Sequence, residues 1–261
     1  MKNLVCMINF KNDPNQQDKP FVDNTSWAWK KWCDKHSIDF LMWEDPLYDV
    51  KEIKAIVQRC YIFDLLENNN LNYDQVCWVG YDTFPMWNCP NFFEMTNGNF
   101  TCALDTGEPH QLNRSIRMVR TNWFPEITEV CWANYFNADF LVMNKMHKPI
   151  LMDLLEFYKK HVKETNNWCI ANKSEDFGDD QTIINFLTRK HKIPITYLPR
   201  SFNVMDHFMH LMFFNAFDSN QRFISANQTI EDCVYLFHFT GNENERNQLT
   251  TYLIEQNADK Y

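Results

Sequence analysis

The first eighty residues alternate between two hydrophobic patterns, and this limits the fold more than any other feature of the chain. "LVCMINF" (4–10), "IDFLMW" (38–43) and "QVCWV" (75–79) are short, nearly continuous apolar runs. Such runs mark strands covered on both faces. Between them, residues 25–36 read as a helix capped by Asn24 or Thr25. Residues 52–68 read as a longer helix with Ile53, Ile56, Val57, Cys60, Leu65 and Leu66 at helical spacing. Strands that alternate with helices in this order call for a parallel sheet with helices on its faces, because parallel neighbours need a long crossover.

In such a sheet, ligands gather beyond the carboxyl ends of the strands. Asn9, Lys11 and Asp82 are therefore expected around one crevice. Asp82 is a lone acid in "VGYDTFPM", followed by a Phe84-Pro85 that reads as a turn. Its default role is a turn cap. Arg59 lies opposite the apolar stripe of its helix, where a solvated arginine is the default.

The rest of the chain is mixed. "CALDTG" (102–107) and "NADFLVMN" (137–144) read as strands, and "PILMDLLEFYKKH" (149–161) as a helix with proline in its first turn. "DDQTIINFLTRKH" (179–191) reads as a helix with two acids at its positive end. "ITYLP" and "CVYLFHF" are late strands, the second ending at His238, and a helix over about 245–256 closes the chain.

Composition excludes several functions. The net charge is −9 and no basic block occurs, which argues against nucleic acid as a partner. Five glycines are too few and too scattered for a G-x-G-x-x-G turn or a P-loop. Nine cysteines, none in a C-x-x-C pair, read as reduced thiols of a cytoplasmic protein. Asn9 interrupts the first apolar run, so no signal peptide is expected. "FMHLMFF" (208–214) is far shorter than a membrane span, so no transmembrane segment is expected. Trp78, Trp87, Trp123 and Trp132 are candidates for stacking on a sugar or base, although packing is the default for each.

Four segments, taken in order, carry a family resemblance. "WVGYDT" (78–83) resembles the D-x-D segment of nucleotide-sugar-dependent glycosyltransferases of the GT-A fold. "YFNADFLVMN" (135–144) resembles the F-N-A-G strand of their retaining, glycogenin-like branch. "DQTIIN" (180–185) is similar to its D-Q-x-x-x-N helix start, and "HFTG" (238–241) to its H-x-x-G segment. The similarity runs from Leu4 to about Asn244.

The resemblance implies an α/β fold: a single GT-A-like domain over residues 1–261, with a Rossmann-like, mostly parallel sheet flanked by helices. Residues 1–90 would form the nucleotide-binding half and 91–261 the sugar and acceptor half. It implies transfer of a sugar, with retention, from a nucleotide-diphosphate donor to a glycan, lipid or protein acceptor. Asp82 and His238 would hold Mn²⁺ or Mg²⁺, a fitting ion for mixed oxygen and nitrogen ligands. Asn9, Arg59, Tyr81 and Gly241 would face the nucleotide donor, with Arg59 reaching its sugar or phosphate. Asn137 would bind the donor sugar, and Asp180 and Gln181 would sit near its anomeric carbon.

Three positions depart from the pattern. Gly80 replaces the first acid of D-x-D, which predicts a metal site with one protein ligand fewer. Asp139 replaces the glycine of N-A-G, and Asn244 stands where a lysine is usual, leaving Arg246 as a substitute. These departures keep open a second reading, a non-catalytic sugar-nucleotide or glycan-binding module. A third, a nucleotidyltransferase, lacks the Gly-rich basic loop it would need near residues 9–19.

Overall fold

The computed structural model describes residues 1–10, 19–171, 180–205, 233–240 and 242–261. Lys11, Gly241 and the 208–214 segment lie outside the described residues. Strands β1 (Asn3–Ile8), β2 (Asp39–Trp43) and β3 (Gln75–Val79) pair in parallel with β1 between the others. Leu4, Cys6 and Ile8 enter one core cluster and Val5 and Met7 another, so β1 is apolar on both faces. That is why its sequence runs apolar without alternation.

Helix α1 (Pro20–His36) packs Trp29 and Trp32 into the second cluster. It starts earlier than expected because Pro20 takes the first turn, where its missing N–H costs nothing. Thr25 is no cap. Its hydroxyl donates to Val22 O (3.0 Å) and Tyr81 O (2.7 Å).

The single helix expected over 52–68 is two helices, α2 (Ala55–Gln58) and α3 (Ile62–Asn68), joined by a 3-10 turn at Arg59–Tyr61. The Gln58 side chain accepts from Leu47 and Tyr48 N–H and donates to Tyr48 and Ile53 carbonyls, which fastens the break to the preceding loop.

Beyond β3 come β4 (Thr83–Pro85), β5 (Phe100–Leu104), the unanticipated helix α4 (Pro109–Asn122), and β6 (Phe136–Met143). Next are α5 (Lys148–Ala171), α6 (Gln181–Lys190), β7 (Ile195–Leu198), β8 (Val204–Met205), β9 (Leu236–His238) and α7 (Glu243–Asn257). The main sheet has the order β2-β1-β3-β6-β5-β7. All its pairings are parallel except the two made by β6. It is one mostly parallel sheet in one α/β domain, with helices on both faces.

A small second sheet, β4-β9-β8, stands at the carboxyl end of β3. Phe84-Pro85 is therefore not a turn but part of β4, paired with β9 so that Thr83 opposes His238. A tight pairing partner from late in the chain overrides the local turn signal. Among the described residues no helix is long and apolar enough to cross a membrane. The eight described cysteines are free, and six are buried.

Candidate functional site

The site forms where β3 ends. Because β6 runs antiparallel to β3, the start of β6 arrives at the same end of the sheet, with Val79 opposite Phe140. Gly80 N–H then donates to Asp139 O (2.8 Å). The chain turns through Gly80-Tyr81-Asp82 into β4, and Phe239 N–H donates to Asp82 O (2.9 Å), tying this turn to the end of β9. Three ligand-bearing side chains, Asp82, Asp139 and His238, are thereby brought together, with one ligand atom of each within 4.8 Å of the others. His238 Nε2 lies 3.6 Å from Asp82 Oδ1 and 3.7 Å from Asp139 Oδ2.

The orientation of the His238 ring follows from its neighbours. Asn203 Nδ2 donates to Leu104 O (2.9 Å), so Asn203 Oδ1 is left as an acceptor. That oxygen meets His238 Nδ1 at 3.1 Å, which places the ring proton on Nδ1. Nε2 is then the nitrogen that faces the two carboxylates. Two carboxylates converging on one imidazole nitrogen call for positive charge among them, either a proton on Nε2 or a cation held by all three groups. Histidines that ligate metals characteristically have their other nitrogen held in this way.

A buried charge pair backs the cluster. Arg59 was expected on a solvated face, yet it is only 3% exposed, because the 3-10 turn directs its side chain inward. It pairs with Asp180 and donates to Ala138 O (2.7 Å), with Asp139 Oδ1 at 3.6 Å. Burial lowers its pKa, and Asp139 opposes that shift. The Asp139 carboxyl is itself raised, first by burial and then by Asp82, while His238 and Arg59 pull it down. Asp180 begins α6 without capping it through its side chain, so a simple helix-end acid is not its role.

A cleft of about 570 Å³ opens on these groups, lined by Asp82, Asn137, Asp139, Asp180, Gln181 and His238 among others. Two of the amides there converge on Asp105. Its Oδ2 accepts from Asn137 Nδ2 (3.3 Å) and Gln181 Nε2 (2.8 Å), and its Oδ1 from Gly107 N–H (2.6 Å). The far ends of both amides accept backbone N–H groups, Asn137 from Asp139 (2.7 Å) and Gln181 from Ala138 (3.0 Å). Arg246 lines the same cleft, its guanidinium 3.6 Å from Asp82 Oδ2.

Of the expected site residues, Asp82, Asn137, Asp180, Gln181 and His238 line this cleft, and Arg59 supports it from behind. Asn9 and Tyr81 are not among the lining residues. Asn9 N–H donates to Trp43 O (3.0 Å), and the Tyr81 ring lies by Phe21 with centroids 6.0 Å apart. Gly241 lies outside the described residues. Trp78 is buried under Arg59, and Trp132 is exposed away from the cleft. A larger cleft of about 780 Å³, beside Trp123 and Phe157, holds none of the clustered acids.

Sequence reasoning missed Asp105, the ligand geometry of Asp139, and Asn203. For Asp105 a signal existed: an acid directly after a buried strand in "ALDTG", the same arrangement that drew attention to Asp82.

No protein-family model and no curated protein matches the sequence. Solved structures do match in shape. A glycosyltransferase involved in the glycosylation of the major capsid of PBCV-1 superposes with a TM-score of 0.60 at 10% identity, over 96% of this chain and 100% of that one. The galactosyltransferase LgtC, solved with donor and acceptor sugar analogs, gives a TM-score of 0.43 at 13% identity, with all of both chains covered. The apo form of GlyE from Streptococcus pneumoniae TIGR4 gives 0.49 at 12% identity, over 100% of this chain and 64% of that one. At these identities the first likeness establishes the fold, a GT-A-like α/β domain.

Proposed function

We propose that the chain transfers a sugar from a nucleotide-diphosphate donor to an acceptor, with the reaction centre at the Asp82–Asp139–His238 cluster. The observation that carries this reading is the convergence of His238 Nε2 and two carboxylates at the mouth of a polar cleft. Two carboxylates and an imidazole suit Mn²⁺ or Mg²⁺. A divalent ion bound there supplies charge neutralisation for a departing diphosphate.

This chain's own residues supply the rest. Arg246, beside Asp82 and cleft-facing, adds positive charge for the phosphates. Asn137, Gln181 and Asp105 form a hydrogen-bonded floor of the kind that orients sugar hydroxyls. Asp180 keeps its carboxylate in place through Arg59 at the side of the cleft where the sugar would lie. Retention at the anomeric carbon, the division into a nucleotide half (1–90) and a sugar half (91–261), and a cytoplasmic setting rest on the sequence reading alone. The nucleotide-side role assigned to Asn9 and Tyr81 would require contacts outside the cleft's lining.

Thermal-shift measurements with UDP-, GDP- and ADP-sugars, each with and without Mn²⁺, test the proposal. A donor at about a hundred times its Kd should add about 2.7 kcal/mol of stability. Absence of a shift with every donor, metal or no metal, overturns it. The binding-module alternative rests on the sequence departures at Gly80 and Asn244. Slow donor hydrolysis, read by nucleotide release, distinguishes a transferase from such a module.

A further inference from the structure

Positions 80 and 139 face each other across the β3–β6 ladder, one step beyond the Val79–Phe140 pair. Opposed residues of an antiparallel pair project to the same face, so a side chain at either position enters the same space. A Cβ placed on Gly80 would lie 2.9 Å from Asp139 Cβ and 2.9 Å from Asp82 Oδ1. Opposed Cβ atoms ordinarily stand about 4.5–5.5 Å apart. A Cβ moves only with its backbone, so Asp139 cannot step aside as a flexible tip would. Gly80 itself has no left-handed backbone that would require glycine. Its neighbour, not its conformation, keeps position 80 bare.

We infer that positions 80 and 139 share one carboxylate: the metal site takes its second acid from either backbone position but not from both, and here Asp139 delivers it. The inference rests on the metal reading above and extends it. It accounts for Gly80 and Asp139 together, as one exchange rather than two separate departures. It also gives the site two acids and a histidine in place of the poorer set expected from Gly80 alone. The exchange has one asymmetry. From position 139 the carboxylate also reaches Arg59 (3.6 Å), a contact that belongs to this side of the ladder.

The test uses the full chain, Mn²⁺ as the probe, and four variants: Gly80→Ala, Gly80→Asp, Asp139→Gly, and Gly80→Asp combined with Asp139→Gly. Bound Mn²⁺ is read by electron paramagnetic resonance and stability by thermal denaturation. Asp139→Gly should weaken Mn²⁺ binding at least tenfold, and the double variant should recover to within about threefold of the starting chain. Gly80→Ala should lower Tm in the starting chain and lower it clearly less when Asp139 is glycine, since only the movable Asp82 carboxylate tip then crowds the new Cβ; this coupling reads the steric exchange without metal. A folded double variant that binds no better than Asp139→Gly overturns the exchange, as does a Gly80→Ala effect that ignores residue 139. If the starting chain binds no Mn²⁺ while the Tm coupling is present, the metal reading fails instead, and with it the role assigned to the shared acid.

Discussion

Among the described residues two buried histidines stand at or shortly after strand ends, and they do opposite work. His147, just beyond β6, is 6% exposed, and His238, at the end of β9, is 3% exposed. In sequence each is a lone histidine after an apolar run. His147 Nδ1 accepts the Asn144 N–H (3.0 Å), and its ring meets Phe100 edge-on with centroids 5.5 Å apart. It closes a backbone turn, and burial lowers its pKa to about 4. His238 has its Nδ1 fixed by Asn203 and turns Nε2 to two acids. Equal burial therefore says nothing about role. The partner of the second nitrogen decides it.

The comparison is tested most forcefully through the charge that backs His238. Arg59 and Asp180 are both nearly fully buried, whereas the contacts described for His147 are a backbone N–H and an aromatic ring. Arg59→Met leaves Asp180 as an unpaired buried acid and should destabilise the fold by about 3–5 kcal/mol. Urea denaturation measures it, and adding Asp180→Leu should recover much of the loss. If Arg59→Met is neutral, the site end is not held by buried charge and the contrast fails.

The ligand side comes next. Asp82→Asn should reduce metal-dependent nucleotide binding by about a hundredfold with little change in Tm, because a strand-end carboxylate contributes little packing. His238→Ala should act in the same direction, less completely, while His147→Ala should leave binding unchanged. Titration calorimetry of Mn²⁺ with each nucleotide decides. Equal binding by Asp82→Asn and the starting chain would remove the site.

His147 should show itself in acid. Its folded pKa, about 4, lies below the ordinary histidine value of 6.5, so the unfolded chain takes up the proton first. Its contribution to stability is full above about pH 6.5 and is lost as pH falls towards 4. The loss is about 2 kcal/mol after allowance for solvent screening. His147→Gln should flatten that part of the stability profile, and an unchanged profile would contradict the assignment.

The smallest effect concerns Asn203. Asn203→Ala frees the His238 tautomer and should weaken Mn²⁺ about tenfold, as loss of an outer hydrogen-bond partner typically does. An equal loss in Asn144→Ala, beside His147, would mean that the effect is general softening and not tautomer control.

Much of the architecture was legible before any coordinates. The order of strands and helices, the doubly covered β1 and β3, and the placement of Asp82 and His238 at strand ends all follow from apolar period and local punctuation. These signals lie within a few residues of what they specify. Errors arose where a distant partner intervened. Phe84-Pro85 became a strand because β9 pairs with it, and Arg59 turned inward because Asp180 awaits it. Helix α4 went unread because its buried face is sparse, with only Ile116, Met118 and Val119 fully covered.

By itself, then, the sequence determined the alternating α/β layout and two of the three clustered side chains, since periodicity and strand ends are local properties. The tertiary structure alone decided that β6 runs against its neighbours, and this reversal sets Asp139 across from Gly80 and beside Asp82. It also decided which nitrogen of His238 is free and that Asn137 and Gln181 share Asp105. The physical reason is the same in each case. A ladder register, a ring tautomer and a shared acceptor are properties of pairs of groups far apart in the chain, and no single stretch of residues carries them.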